Sequence, residues 1–267
     1  MYARFRSFVR PRRFSSRAAV PLAALALAGA PCASAGEWKW AVTPYAWATD
    51  VGADVELDDR QLVDTTIPVT ELIGALDATA QVQVEAQHGE HGLLLDLFDV
   101  RLSEDKRIAL PASIGGQAAF DSEVGLMILE IGGFYDRHGD QQGLALLYGA
   151  RILHQSARID ARFDLASGGL VSRTYDVEDT LVDAMIGVRH VHRFSRRWSS
   201  QLRADVSSGG TDLSWSAGSS IAYAFGRDGR YALQAGYRRM VVEFKQDGAI
   251  RADMTLSGLQ LGFRVAF

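Results

Sequence analysis

Apolar and polar residues alternate with a period of two along most of the chain. In ATAQVQVEAQ, Ala78, Ala80, Val82, Val84 and Ala86 alternate with Thr79, Gln81, Gln83, Glu85 and Gln87. In WSSQLRADVS, Trp198, Leu202, Ala204 and Val206 alternate with Ser199, Gln201, Arg203, Asp205 and Ser207. LSWSAGSSIAYAF repeats the pattern, and so does the closing GLQLGFRVAF, with Leu259, Leu261, Phe263, Val265 and Phe267 on one face. Strict alternation of this length marks strands whose two faces meet different surroundings. It predicts ten strands, at roughly 37–50, 76–88, 92–103, 118–136, 142–156, 179–194, 198–208, 213–225, 231–245 and 250–267.

The connections between these strands fall into two alternating sets. HGEHG, DRHGDQQ, SRR and GRDGR are short. Residues 51–75, 104–117 and 157–178 are long, and SSGGTD and KQDGA are short members of that second set. VTELIGAL, inside 51–75, reads as a short helix. Each set therefore lies at its own end of the sheet. Tight turns at one end and longer loops at the other are the asymmetry of an outer-membrane barrel. The predicted fold is all-β: a closed antiparallel transmembrane β-barrel of about ten strands, with eight or twelve also compatible. Closure follows from the bilayer, because an open sheet edge in lipid leaves backbone groups unsatisfied.

The N-terminus supports export. Residues 1–17 hold six arginines and no acid, followed by an apolar run from Ala18 to Ala30 and the small-x-small triplet Ala33-Ser34-Ala35. That order reads as a secretory signal peptide over 1–35, cleaved before Gly36, with the barrel domain over 36–267. Removing the signal takes six of 28 basic residues and none of the 32 acids, leaving a net charge of about −10. The only cysteine, Cys32, leaves with it. Disulfide and thiol chemistry are then excluded, and the acidic balance argues against nucleic acid as a partner.

Aromatic residues gather at the short-turn end. Trp38, Trp40, Phe134, Tyr135, Phe194, Trp198, Phe225, Tyr231 and Phe267 all fall there, as an interfacial girdle would. The opening WKWAVTPYAWATDVGADVEL resembles the W-x-V-T-P-Y-x-W start of a family of small, largely uncharacterised proteobacterial outer-membrane β-barrel proteins. GEHGLLLDLFDVRLS, DAMIGVRHVHRFSRRWSSQLRADV, LQAGYRRMVVEF and GLQLGFRVAF are similar to later parts of that family, over most of residues 38–267. The resemblance implies an integral outer-membrane barrel, porin-like or structural, and carries no activity. The end on Phe267, with Val265 and Phe263, also resembles the C-terminal signal that the bacterial barrel-assembly machinery reads. Outer-membrane lipids and that machinery are the partners implied.

Charged residues on the predicted inner faces are the candidate functional set. A Gly-x-Arg unit recurs at Gly149 to Arg151, Gly187 to Arg189 and Gly236 to Arg238. Glu85, Asp183, Arg203, Asp205 and Arg264 share those faces. Opposite charges on one narrow wall are expected to pair, because an unpaired charge away from water is costly. Two functions fit: an ion-paired plug in a structural envelope barrel, or a charged constriction in a narrow passive pore for small solutes. Two further classes compete, a lipid-modifying outer-membrane enzyme and a surface-binding protein acting through 51–75 and 157–178. For an enzyme, His154-Gln155-Ser156 is the one His/Ser pair near the loop side, but His154 is expected to face lipid. His88, His91 and His138 fall in short turns, and His190 and His192 share an outer face with no third ligand evident. No catalytic, cofactor or metal residue is therefore assigned.

Overall fold

The computed structural model describes residues 38–57, 60–109, 116–137, 142–165, 170–244 and 250–267. The expected signal peptide with Cys32, the KQDGA turn and His138 lie outside the described residues. The strands are β1 (Lys39–Leu57), β2 (Arg60–Ile67), β3 (Leu76–His88), β4 (His91–Ala109), β5 (Gly116–Asp136) and β6 (Gly143–Leu165). They continue as β7 (Leu170–Arg193), β8 (Trp198–Gly209), β9 (Leu213–Phe225), β10 (Tyr231–Phe244) and β11 (Ile250–Ala266). A short helix, α1 (Val69–Ala75), follows β2.

Each strand pairs antiparallel with its neighbours, and β11 pairs back onto β1, so the sheet closes. β2 pairs only with the upper part of β1, which leaves ten strands in the ring. The closing seam runs from Ala41↔Ala266 to Leu57↔Ile250. This is the closed ten-stranded antiparallel barrel that the alternation predicts. At the short-turn end, Trp40 and Phe267 exchange backbone hydrogen bonds at 3.4 and 2.9 Å, so the last residue is tied into the seam.

The outer wall is apolar. Leu93, Leu95, Ile131, Leu144, Val182, Ile186, Val188, Leu202, Val206, Ile221, Leu233, Leu259 and Leu261 are all exposed large hydrophobic residues. They sit at alternate positions on successive strands, and the residues between them, among them Leu94, Asp183, Met185, Asp205 and Ser207, turn inward and are buried. A soluble barrel would have the reverse arrangement, so this one is built for a lipid surround. Among the described residues, no helix is long and apolar enough to cross a membrane.

Two expectations from the sequence change. The segments read as long loops are largely strand: β6 and β7 contain 23 and 24 residues, about twice what a bilayer needs. Cross-strand pairs carry this hairpin beyond the apolar belt, among them Arg158–Asp176 at 2.6 Å, with Arg162–Asp121 at 3.4 Å linking β6 to β5. The ring of Phe120 also meets that of Phe163 edge-on at 5.8 Å. Residues 51–75 likewise become the end of β1, then β2 and α1, where VTELIGAL forms the helix. The second change concerns the girdle. Phe134 does not belong to it: it points inward and is fully buried. Gly92 on the facing strand makes room, since a Cβ there would lie 2.1 Å from the Phe134 ring. Trp38, Trp40, Phe194, Trp198 and Phe267 remain exposed at that end.

Candidate functional site

The lumen is organised in layers. At its middle, three arginines and three carboxylates meet across the barrel. Glu130, from β5, is the hub. Its Oε1 accepts from Arg151 Nη2 at 2.7 Å and from Arg238 Nη2 at 2.8 Å, and its Oε2 accepts from Arg203 Nη2 at 2.6 Å. Asp205 takes Arg151 on one oxygen and Arg203 Nε, at 3.0 Å, on the other. Asp96 lies 3.4 Å from Arg238 and 4.0 Å from Arg203, and accepts a hydrogen bond from the Tyr45 hydroxyl at 2.7 Å. Serine hydroxyls complete the shell: Arg151 donates to Ser207 and Ser214 at 3.2 and 3.1 Å, and Arg238 to Ser216 at 3.3 Å. The charges balance, and Arg151 and Glu130 are each only 1% exposed. Such a cluster is tolerable away from water because every ion has several partners.

The Gly-x-Arg unit has a steric basis. Gly149, Gly187 and Gly236 face the lumen two residues before each arginine. A Cβ at any of them would come within 2.3–2.5 Å of an atom of the neighbouring strand. The small residue lets the wall close up beside the guanidinium.

Arg189 joins Glu85 in a separate pair nearer the short-turn end, and its guanidinium lies 4.6 Å over the Phe134 ring. Leu94, Phe134 and Leu147 form an apolar cluster on that side of the lumen. Toward the long-loop end, Trp47, Phe98, Ile128, Leu153, Met240, Val242 and Leu256 form a larger buried cluster directly beyond the charges. Arg238 touches both layers, stacking 5.0 Å over Trp47.

The residues singled out in the sequence are thus distributed over three places. Arg151, Arg203, Asp205 and Arg238 enter the central cluster. Glu85 and Arg189 form the second pair, and Arg264 lines the cavity beside them. Asp183 lies opposite Arg151 in register but forms no direct ion pair with it among the described residues, and Ser207 hydrogen-bonds to both. Asp183 accepts from Ser207 Oγ at 3.1 Å, Thr211 N at 2.9 Å and Thr211 Oγ1 at 2.6 Å, and so fastens the β8–β9 turn. The alternation missed Glu130, Asp96 and Tyr45. Asp96 lies in LLLDLF and Glu130 in MILEIGG, where both faces of the strand are apolar or small. The signal available was register: with DRHGDQQ as the turn, Glu130 falls opposite Arg151.

Among the described residues, the histidines stay on the outer surface or at turns. His192 packs against Phe194 with ring centroids 4.8 Å apart, and His88 against Trp38 at 5.4 Å. His154 bonds Thr180 Oγ1 at 2.8 Å on the outer face, with Glu178 at 3.8 Å. Among the described residues, no group of three or more His, Cys, Asp or Glu could hold a metal ion. At the terminus, Phe263 stacks on Tyr231 at 6.0 Å, Val265 is covered between its cross-strand neighbours, and Arg230 lies 5.4 Å over the Phe267 ring.

No family model matches the chain, and no curated protein does. Solved structures with a distant likeness include Ail, the attachment invasion locus protein of Yersinia pestis, at 8% identity over 86% of this chain and 99% of that one, TM-score 0.29. The P. putida toluene transporter TodX aligns at 11% identity over 89% and 90%, TM-score 0.33. Neisserial surface protein A aligns at 12% identity over 86% and 97%, TM-score 0.27. The assignment stands on the strand pairing and on the facing of the side chains: the chain is a closed antiparallel barrel of transmembrane β-strands.

Proposed function

We propose that the protein is a passive, structural barrel of the outer membrane, exported behind a cleaved signal over 1–35, with 36–267 as its one barrel domain. The observation that carries this reading is the pair of stacked lumen layers. A neutral ion cluster spans the barrel at mid-depth, and a buried apolar cluster centred on Trp47 and Phe98 lies directly beyond it. Water and ions crossing the barrel must displace both. The parent protein should therefore carry no steady current in planar bilayers. Trimming the apolar layer with Trp47→Ala and Phe98→Ala should introduce a leak. A steady, open current from the parent would overturn the proposal in favour of a narrow charged pore.

The C-terminal strand is proposed to carry the signal for the barrel-assembly machinery in Phe267, Val265 and Phe263. Leu259 and Leu261 continue the same outward row. Deleting Phe267 removes the end of the seam with Trp40 and the last outward aromatic ring. Assembled, heat-modifiable barrel in the outer membrane should fall severalfold. Normal yield from the deletion would remove this role from the terminus.

A further inference from the structure

Beside the Arg189–Glu85 pair, the short-turn end of the lumen is hollow. A cavity of about 310 Å³ lies there. Six arginines line it, Arg189, Arg193, Arg196, Arg197, Arg230 and Arg264, against two carboxylates, Glu85 and Asp228. This excess runs against the chain as a whole, which has 28 basic residues and 32 acidic ones. The arginines come from separate elements: β7, the β7–β8 turn, the β9–β10 turn and β11. Glu85 is engaged by Arg189, Arg197 donates to the Tyr223 hydroxyl at 3.1 Å, and Arg230 lies over Phe267. Ser199, Gln201, Ser220 and Gln234 supply the polar wall between them. A recess of about 60 Å³ shares Gln201, Ser220 and Gln234 and continues inward to Arg203 and Arg238. There the ion cluster forms a floor.

We propose that this basin binds a small multivalent oxyanion, carrying two or more phosphate or carboxylate groups, that enters from the short-turn, periplasmic side. Arg189 is buried at the base of the cleft, while Arg193, Arg196, Arg197 and Arg230 are exposed around its mouth, and like charges gathered about one cleft focus their field and draw counter-ions into it. Guanidinium groups match the two oxygens of a phosphate or carboxylate with paired donors, which ammonium groups do not. The arginines also sit at two depths. Arg189 is four residues deeper along β7 than Arg193, a separation of about 13 Å at the usual strand rise. That spacing suits a molecule with anionic groups at both ends rather than a single monovalent ion. The basin opens before the apolar layer is reached, so the inference holds whether or not the barrel conducts.

The test uses the full barrel refolded in detergent, titrated calorimetrically at constant ionic strength. Tripolyphosphate and citrate are the probes, and the tighter one identifies the preferred group. At least one should bind with submillimolar affinity. Arg193→Gln with Arg230→Gln should weaken it by about tenfold or more. Arg158→Gln with Arg162→Gln, at the opposite end, should leave it unchanged. A second measurement places the probe directly. In a chain with Cys32→Ser, maleimide labelling of Gln201→Cys should slow when the probe is bound, and that of Ser172→Cys should not. Absence of binding by both probes, equal weakening in the two double variants, or labelling of Gln201→Cys indifferent to the probe would each overturn the proposal.

Discussion

Glu130→Ala should lower the stability of the folded barrel by about 3–5 kcal/mol, the usual cost of stranding buried charge. Among the described residues, Glu130 alone of the carboxylates touches all three central arginines, at 2.6–2.8 Å. Without it, Arg151, Arg203 and Arg238 share Asp205 and Asp96 alone, and the cluster carries an uncompensated positive charge. Asp96 is already near both Arg203 and Arg238 and has no free geometry to replace two short contacts. Urea unfolding of the refolded protein, followed by its electrophoretic heat-modifiability, measures the loss. Glu104→Ala on exposed β4 is the control and should stay within about 0.5 kcal/mol. A Glu130→Ala loss no greater than the control would mean that the cluster is hydrated rather than buried.

Charge placed on the outer wall should cost nearly as much. Leu202→Arg or Val206→Arg is expected to destabilise the barrel by about 2–4 kcal/mol near mid-membrane and less toward the interface. Both side chains are exposed on the apolar belt of β8. Gln201, one residue from Leu202, faces the arginine-lined basin instead. Gln201→Glu should therefore change stability by no more than about 0.5 kcal/mol. The comparison reads the two faces of one strand in one lipid. Equal tolerance at Leu202 and Gln201 would show that the outer wall is not the lipid-facing one.

How far the central cluster could be read from the sequence follows from how such a barrel fills its interior. Arg203 and Asp205 were legible because β8 alternates cleanly, with Leu202, Ala204 and Val206 outward. Arg151, Arg189 and Arg238 were legible because each follows a glycine on the same face. Asp96 was not, since Leu94 and Phe98 flank it on the inner face and Leu95 and Leu97 on the outer one. A narrow lumen needs apolar filler as well as ions, and that filler erases the contrast between faces in the strands that supply it. Phe134 was misplaced for the same reason, as an aromatic near a turn that fills the lumen instead of joining the interface.

The chain's local pattern determined the ten strands of the ring and their order, because a strand's two faces are written into every second residue, but not their length, since β2 and the extensions of β6 and β7 occupy segments that read as loops. It also determined closure, through the requirement that no sheet edge meet lipid. Which charges meet could not be settled that way. Arg238 and Asp96 are 142 residues apart, and Arg189 and Glu85 are 104 apart. Their contact depends on the diameter and stagger of the closed ring, which no single strand encodes. The division of the lumen into a balanced ion cluster, an apolar layer on the long-loop side and an arginine basin on the short-turn side is likewise a product of closure. Closing the ring brings ten inner faces to one axis, and only there do side chains from distant strands come near enough to pair, to exclude water or to leave a cavity.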